Sequence, residues 1–348
     1  LRLGAKGWLC PLWPKEYGGG GLSVEQAVII REELDSRDAF QLYDSGITLT
    51  APAIMVWGTE EQKRRFLPSI LTGELVTWQS FTEPEAGTDL ASLKLKAEKD
   101  GDHFIMNGQK TFIGADYKVD WLYTLAVTDQ HKPRHSNIGA FIVPANLPGI
   151  SISQMDIVGG QTKNNVYYDN VRVSRDQLIG GEGDGWKVAN STLELEHGGE
   201  GRTGEEGRFV NALFEYCRQA TRNGQPLSKD PDVRDTMVKV WMGAQIERLF
   251  GWRNYWMRGS KIPWAWEGSQ TALYRKNRMP QVAHMVLDIL GPYALATDPK
   301  LQPLRGEMET QQRASILTHP GGTPEAQKIV MARRIGIAKT KQKASAIV

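Results

Sequence analysis

Cysteine is nearly absent from this chain: Cys10 and Cys217 stand far apart among 348 residues. Two such cysteines make neither a metal-ligand spacing nor a disulfide framework, which fits a reducing compartment. An excess of charge is also lacking. Forty-two Lys and Arg against 40 Asp and Glu leave a net charge of +2, so general attraction to nucleic acid or to an anionic membrane is not implied. No apolar run approaches the length of a membrane span, and no internal repeat is visible. The opening LRLGAKGWLCPLWP has its apolar stretch broken by Gly, Lys and Pro, unlike a signal peptide. It reads as the interior of an element with residues preceding it. What is present is ordinary for a soluble protein, with 40% hydrophobic and 24% charged residues in a length suited to two or three domains.

Three zones follow one another: residues 1–74, 75–184 and 185–348. In the first, SVEQAVIIREEL places Ala27, Ile30 and Leu34 on one helical face behind a capping serine. TEEQKRRFLPSILTGE starts a second helix at Thr59, with Glu61 at the helix-start spacing and Pro68 expected to end or kink it. The middle zone is β-rich. HFIMNGQKTFI reads as a hairpin turning at Asn107-Gly108, and WLYTLAVT, IGAFIVP and NVYYDNVRV add short strands of a small barrel or sandwich. The last zone returns to helices. Asp230 caps and Pro231 opens a helix with Val233, Met237, Val240 and Ala244 in one stripe; Thr323 and Pro324 open the final one. The expected fold is therefore α+β and multidomain, with a β domain between two helical ones.

The most distinctive segment is WQSFTEPEAGTDLASL, residues 78–93. Pro84 and Gly87 force irregular backbone between strand-like runs. Thr82, Thr88 and nearby backbone N–H groups are then free to meet a ligand, although a plain surface loop is the alternative. A second stretch, STLELEHGGEGRTG, carries Glu194, Glu196 and Glu200. At about 100° per residue Glu196 falls within about 60° of Ala189, Thr192 and Leu193, a mostly apolar face. Glu194 falls beside Lys187, Asn190 and Ser191. Glu196 thus points inward if the helix packs, either as a working carboxylate or as a half-buried partner of Arg202.

The helix–β–helix order and four ordered motifs resemble the acyl-CoA dehydrogenase family over essentially the whole chain. These are Thr82-Glu83-Pro84-Glu85-Ala86-Gly87-Thr88-Asp89, Asn107-Gly108-Gln109-Lys110, the join YYDNVRVSRDQLIGGEGDGW and the tail GGTPEAQKIVMARR. The resemblance implies an N-terminal helical domain, a middle β domain and a C-terminal four-helix bundle. It also implies FAD as cofactor and oxidation of the Cα–Cβ bond of an acyl-CoA thioester, with electrons passed to an electron-transfer flavoprotein. The alternatives are a non-catalytic partner subunit of a heteromeric acyl-CoA dehydrogenase, or a flavin oxidase or monooxygenase of the same fold.

The resemblance assigns residues as well. The base is Glu196, because the family's other base position is held here by Gly321, which has no side chain. Gln79, Phe81, Thr82, Gly87 and Thr88 match the loop that meets the flavin and the CoA arm. Phe112 matches an aromatic covering one flavin face, or else is strand core. Ile113 and Gly114 follow it, and Gly114 stands where the family often has a hydroxyl. Thr323 and Glu325 match cofactor contacts at a helix N-terminus. Thr88, Leu193, Glu194 and His197 match the substrate side, His197 either orienting Glu196 or sitting in the core. TRNGQPL replaces the family's usual pyrophosphate motif, leaving Arg222 as a substitute, and Gly291-Pro292 replaces a Gly-Gly turn. The implied assembly is a homodimer, a homotetramer or a heterotetramer with a paralogue. In such mixed complexes one subunit lacks a complete site, and the substrates are often ring-containing or branched CoA thioesters. No metal, nucleic acid or membrane insertion is expected. The expected location is a bacterial cytoplasm, with the mitochondrial matrix as the alternative.

Overall fold

The computed structural model describes residues 1–36, 45–157, 161–194, 205–263, 265–296, 298 and 321–339. Contacts divide the chain into two compact units, Leu1–Ala27 with Gln41–Glu196 and Val28–Phe40 with His197–Val348. Helices precede and follow a β-rich middle, so the expected α+β order is present.

The first unit contains α1 (Arg2–Ala5), α3 (Ala51–Trp57), α4 (Glu60–Leu71) and α5 (Gly185–Glu194); α2 (Val24–Ser36) begins in it. Its strands are β1 (Thr77–Ser80), β2 (Lys96–Asp100), β3 (His103–Ile113), β4 (Trp121–Val127), β5 (Ile138–Pro144), β6 (Ile150–Ile157), β7 (Gln161–Ser174) and β8 (Leu178–Ile179). They form one sheet in the order β6-β7-β3-β2-β4-β5-β8, with β1 pairing parallel to β4.

Strands β4 and β5 are buried along nearly their whole length, because alternate residues serve two cores. Tyr123, Leu125, Ala140 and Ile142 face α3, α4 and α5, which supply Ile54, Phe66, Leu67, Val188 and Ala189. Leu122, Ala126, Phe141 and Val143 meet Phe104 and Met106 of β3 and Val166, Val171 and Val173 of β7 on the other face. The sheet thus curls over its own interior while helices cover its back.

Three local expectations are corrected. Asn107-Gly108 does not turn a hairpin but lies inside the continuous strand β3, at a register shift against β7. Gly108 has φ 146°, and a Cβ there would meet Leu95 Cα at 2.9 Å, so the glycine serves a close backbone approach. Two-residue turns do form at Gly101-Asp102, joining β2 to β3, and at Asn223-Gly224. Helix α4 runs through Pro68 to Leu71, and its capping box uses Gln62, not Glu61. The Gln62 side chain also reaches the carbonyls of Asp176 and Leu178.

The second unit contains α6 (Glu205–Gln219), the short hairpin β9 (Thr221–Arg222) and β10 (Gln225–Pro226), α7 (Pro231–Gly259), α8 (Glu267–Leu290) and α9 (Pro324–Ile335). Val233, Val240 and Ala244 of α7 pack with Leu213 of α6 and Val282, Val286 and Ile289 of α8. Arg278 of α8 is buried against α7, 3.3 Å from Glu247 and 2.9 Å from the Val240 carbonyl. Asp230 caps α7 as expected, accepting from the N–H groups of Asp232 and Val233. Asp230→Ala should cost about 1 kcal/mol locally, seen as faster hydrogen exchange in the first turn of α7.

Candidate functional site

Two backbone segments of the first unit carry most of the expected cofactor residues, and side chains buried behind them fix both. The first segment is the loop after β1. Glu83 and Lys110 form a buried ion pair at 2.8 Å, with side-chain exposures of 6% and 0%. Glu83 also accepts from the backbone N–H groups of Lys94 and Leu95, and Lys110 donates to the Phe81 carbonyl at 3.0 Å. The carboxylate therefore ties both ends of the loop together, while the ammonium ties its entrance to β3. Charges this deep persist only when fully paired. Burial pushes the Lys110 ammonium down to about 8, with Glu83 opposing the shift. The loop's Thr82 carbonyl accepts from the Thr111 N–H.

Within this loop Phe81 is buried edge-to-face on Tyr123 at 4.9 Å, and Gln79 and Thr82 are half-buried. Gly87 and Thr88 are exposed. A Cβ at Gly87 would meet nothing within 4 Å, so no packing inside the protein accounts for glycine there. Outside the loop, Ser80 and Thr124 hydrogen-bond the buried Tyr168 hydroxyl, whose pKa burial pushes up to about 12.

The second segment is the turn that ends β3. Register with β7 slips between Lys110 and Ile113, and Phe112 takes φ 58°. That value is costly for a bulky residue and marks a constrained position. The slip throws the Phe112 side chain outward at 55% exposure while Ile113 is buried at 2%. Strand core is therefore excluded as the reason for Phe112. The carbonyls of Ile113 and Ala115 accept from Asn164, and that of Gly114 accepts from Lys163 at 2.7 Å.

Helix α5 buries Val188, Ala189 and Thr192, with Leu193 packed partly against the same core. This is the inward face that the helical register assigned. Glu194 is the last described residue of α5; Glu196, His197 and Arg202 lie outside the described residues.

In the second unit, Arg222 donates to the Ile289 carbonyl at 3.0 Å and lies 3.8 Å from Asp230. It therefore fastens the β9–β10 hairpin to the end of α8. Gly291 has φ 61° and opens a 3-10 turn. Thr323 caps α9 through the Ala326 N–H, and Gln327 N–H is bonded to the Thr323 carbonyl. Since Pro324 has no N–H, at most the exposed Glu325 offers a backbone donor at this helix start, fewer than the sequence suggests. Gln327 is fully buried, with its Oε1 lacking a hydrogen-bond partner.

Family models match in the same order as this architecture. The N-terminal domain of acyl-CoA dehydrogenases matches residues 1–74, the middle domain 79–171 and the C-terminal domain 183–336. The chain belongs to the acyl-CoA dehydrogenase family. It is an oxidoreductase of that family, and family members are flavoproteins.

Among curated relatives, the acyl-CoA dehydrogenase IpdE1 of Mycobacterium tuberculosis is 31% identical over 340 residues, 96% of this chain and 86% of that protein. FadE29 of the same organism is 31% identical over 335 residues, 95% and 85% of the two chains. Among solved structures, the Tcur3481-Tcur3483 steroid acyl-CoA dehydrogenase superposes with a TM-score of 0.88 at 30% identity, covering 98% of this chain and 88% of that one. The ChsE4-ChsE5 complex of M. tuberculosis gives 0.87 at 29%, covering 96% and 87%.

In this acyl-CoA dehydrogenase Glu83 and Lys110 belong to two of the sequence motifs, yet the sequence alone gives neither a task. The available signal was a Glu and a Lys embedded in otherwise strand-like or loop-forming runs. Trp78, Lys163, Asn164 and Gln327 carried no readable signal of their own.

Proposed function

We propose that this chain is an FAD-dependent acyl-CoA dehydrogenase for ring-containing or branched acyl-CoA thioesters, with Glu196 as its base. The observation that carries the cofactor reading is Phe112, an exposed aromatic held on a costly backbone conformation by buried partners. FAD fits the residues present. Phe112 offers an uncovered ring, Gly87 leaves room for close approach, and the Phe81, Thr82, Ile113, Gly114 and Ala115 carbonyls are already taken by protein donors. Backbone N–H groups near Phe81 and Thr82 would suit the electron-rich ring atoms of a flavin. In the second unit the half-buried Thr323 and the exposed Glu325 offer polar atoms at the start of α9. Glu325 there favours a hydroxyl over a phosphate, because its own charge repels an anion.

The α C–H of a thioester is a very weak acid, so the base needs a dry setting that raises its pKa. Glu196 follows directly on the buried Val188–Ala189–Thr192 face of α5, which supports an inward position for it. Bound FAD supplies the acceptor for the β-hydride. Glu196 takes the α-proton, and Leu193, Glu194, His197 and Thr88 border the substrate. Electrons then leave to an electron-transfer flavoprotein. Location in a bacterial cytoplasm fits two buried free cysteines and, among the described residues, no helix long and apolar enough to cross a membrane.

Substrate class rests on the steroid acyl-CoA dehydrogenase named above. In anaerobic flavin reduction across linear, branched and cyclic acyl-CoAs, we expect the highest kcat/KM with cyclic substrates. A preference for linear chains would reject that class, and oxygen consumption on turnover would identify an oxidase.

Assembly with a second copy or a paralogue is supported by α7. Val238, Trp241, Met242, Leu249, Trp252 and Trp256 follow helical spacing and are 42–62% exposed, a larger apolar stripe than isolated proteins ordinarily leave in water. Sedimentation velocity should show an oligomer.

A further inference from the structure

Gly114 reads in sequence as a lost hydroxyl, but its surroundings give it another role. An ideal Cβ on Gly114 would lie 2.1 Å from Trp78 Cδ2, 2.3 Å from Cε2 and 2.6 Å from Cε3. These are ring atoms of a side chain 4% exposed, packed in the core inside the sheet and unable to move aside. Gly114 also has φ 59°, a conformation that most side chains other than Asn or Asp adopt only with strain. Trp78 itself is fixed by strand β1, opposite Leu122 of β4. Its indole meets the Tyr117 ring edge-on at 6.0 Å. From the β7 side, Lys163 and Asn164 hold the three consecutive carbonyls of residues 113–115. The turn is therefore clamped from two directions, and Phe112 is the side chain it throws outward.

We propose that Trp78 is a positioning residue for the cofactor, its indole occupying the space of a residue-114 side chain and locking the turn that presents Phe112. Trp78 and Gly114 are then one unit, a large residue matched to an absent one. Gly114 is required by its neighbour and is not a mark of a decayed site. The proposal rests on the reading of Phe112 as a flavin-facing ring.

The test measures FAD dissociation constants by fluorescence quenching, and apoprotein melting temperatures, for the full chain with Gly114→Ala, Trp78→Val and both. Gly114→Ala should weaken FAD binding at least about tenfold alone but less than about threefold in the Trp78→Val background, a coupling typical of touching residues. The visible band of FAD bound to Gly114→Ala should shift as it does for Phe112→Ala, which a purely structural role would not produce. Gly114→Asn provides a second check if Trp78→Val fails to fold. Asn tolerates positive φ but keeps the overlap with the indole, so it should bind FAD as poorly as Gly114→Ala. Parent-like affinity in Gly114→Asn, or FAD effects that simply multiply, would overturn the coupling while leaving the flavin reading intact. A parent chain that binds no FAD, with melting temperatures still non-additive, would instead overturn the flavin reading and reduce Trp78 to a packing residue.

Discussion

Lys110→Met should destabilise the first unit by about 3–5 kcal/mol, the usual result of removing one member of a buried ion pair. Glu83 would keep its bonds from the Lys94 and Leu95 N–H groups but lose the cation 2.8 Å away, at a site where water cannot replace it. The Phe81 carbonyl would lose its donor as well. Glu83→Gln combined with Lys110→Met should recover much of the loss, because the stranded charge is gone. The pH dependence carries a definite sign. Burial lowers Lys110 from its ordinary 10.5 to about 8. Between those values the unfolded chain binds more protons than the folded one, so the site's contribution to stability rises with pH. The stability gap between parent and Lys110→Met should therefore widen from pH 8 toward pH 10. A gap that narrows would contradict the assignment. Thermal melts followed by near-UV circular dichroism across that range would read it.

Glu196→Gln should lower kcat/KM by about 10²–10⁴-fold, the usual contribution of a positioned general base. Gln keeps the shape and can hold hydrogen bonds, but it cannot accept the α-proton. FAD content and acyl-CoA affinity should stay near the parent values. The alternative base position cannot contribute, since Gly321 has no side chain and its φ of 66° suits glycine. A variant that loses cofactor or substrate binding together with rate would point to a structural role for Glu196.

Local signals were legible where local chemistry decides. Asp230 with Pro231, Thr323 with Pro324, and Thr59 each start the helix that the sequence assigns to them, because a cap needs only its next few residues. Asn107-Gly108 misled because the same dipeptide serves a turn and a bulge, and contact with Leu95 decided between them. The N-G hairpin signal was valid at Asn223-Gly224, where no neighbouring backbone intrudes. Glu83 and Lys110, 27 positions apart, meet only once β1 has paired with β4, β4 with β2 and β2 with β3, and no periodicity announces that meeting. Trp78 and Gly114 are hidden for the same reason, since a missing side chain has meaning only beside the ring that fills its place. On α5 the helical register puts Ala189 and Thr192 on the buried side and Lys187 on the exposed side, while Asn190, Ser191 and Leu193 are all half-buried.

The central claim is that a carboxylate at position 196 works on an acyl-CoA held against FAD. Anaerobic stopped-flow mixing of FAD-loaded protein with a cyclic acyl-CoA tests it most directly. The parent should lose its flavin absorbance in a single turnover, and the Glu196→Gln variant, binding both partners, should keep it. Bleaching of the variant at the parent rate would contradict the account.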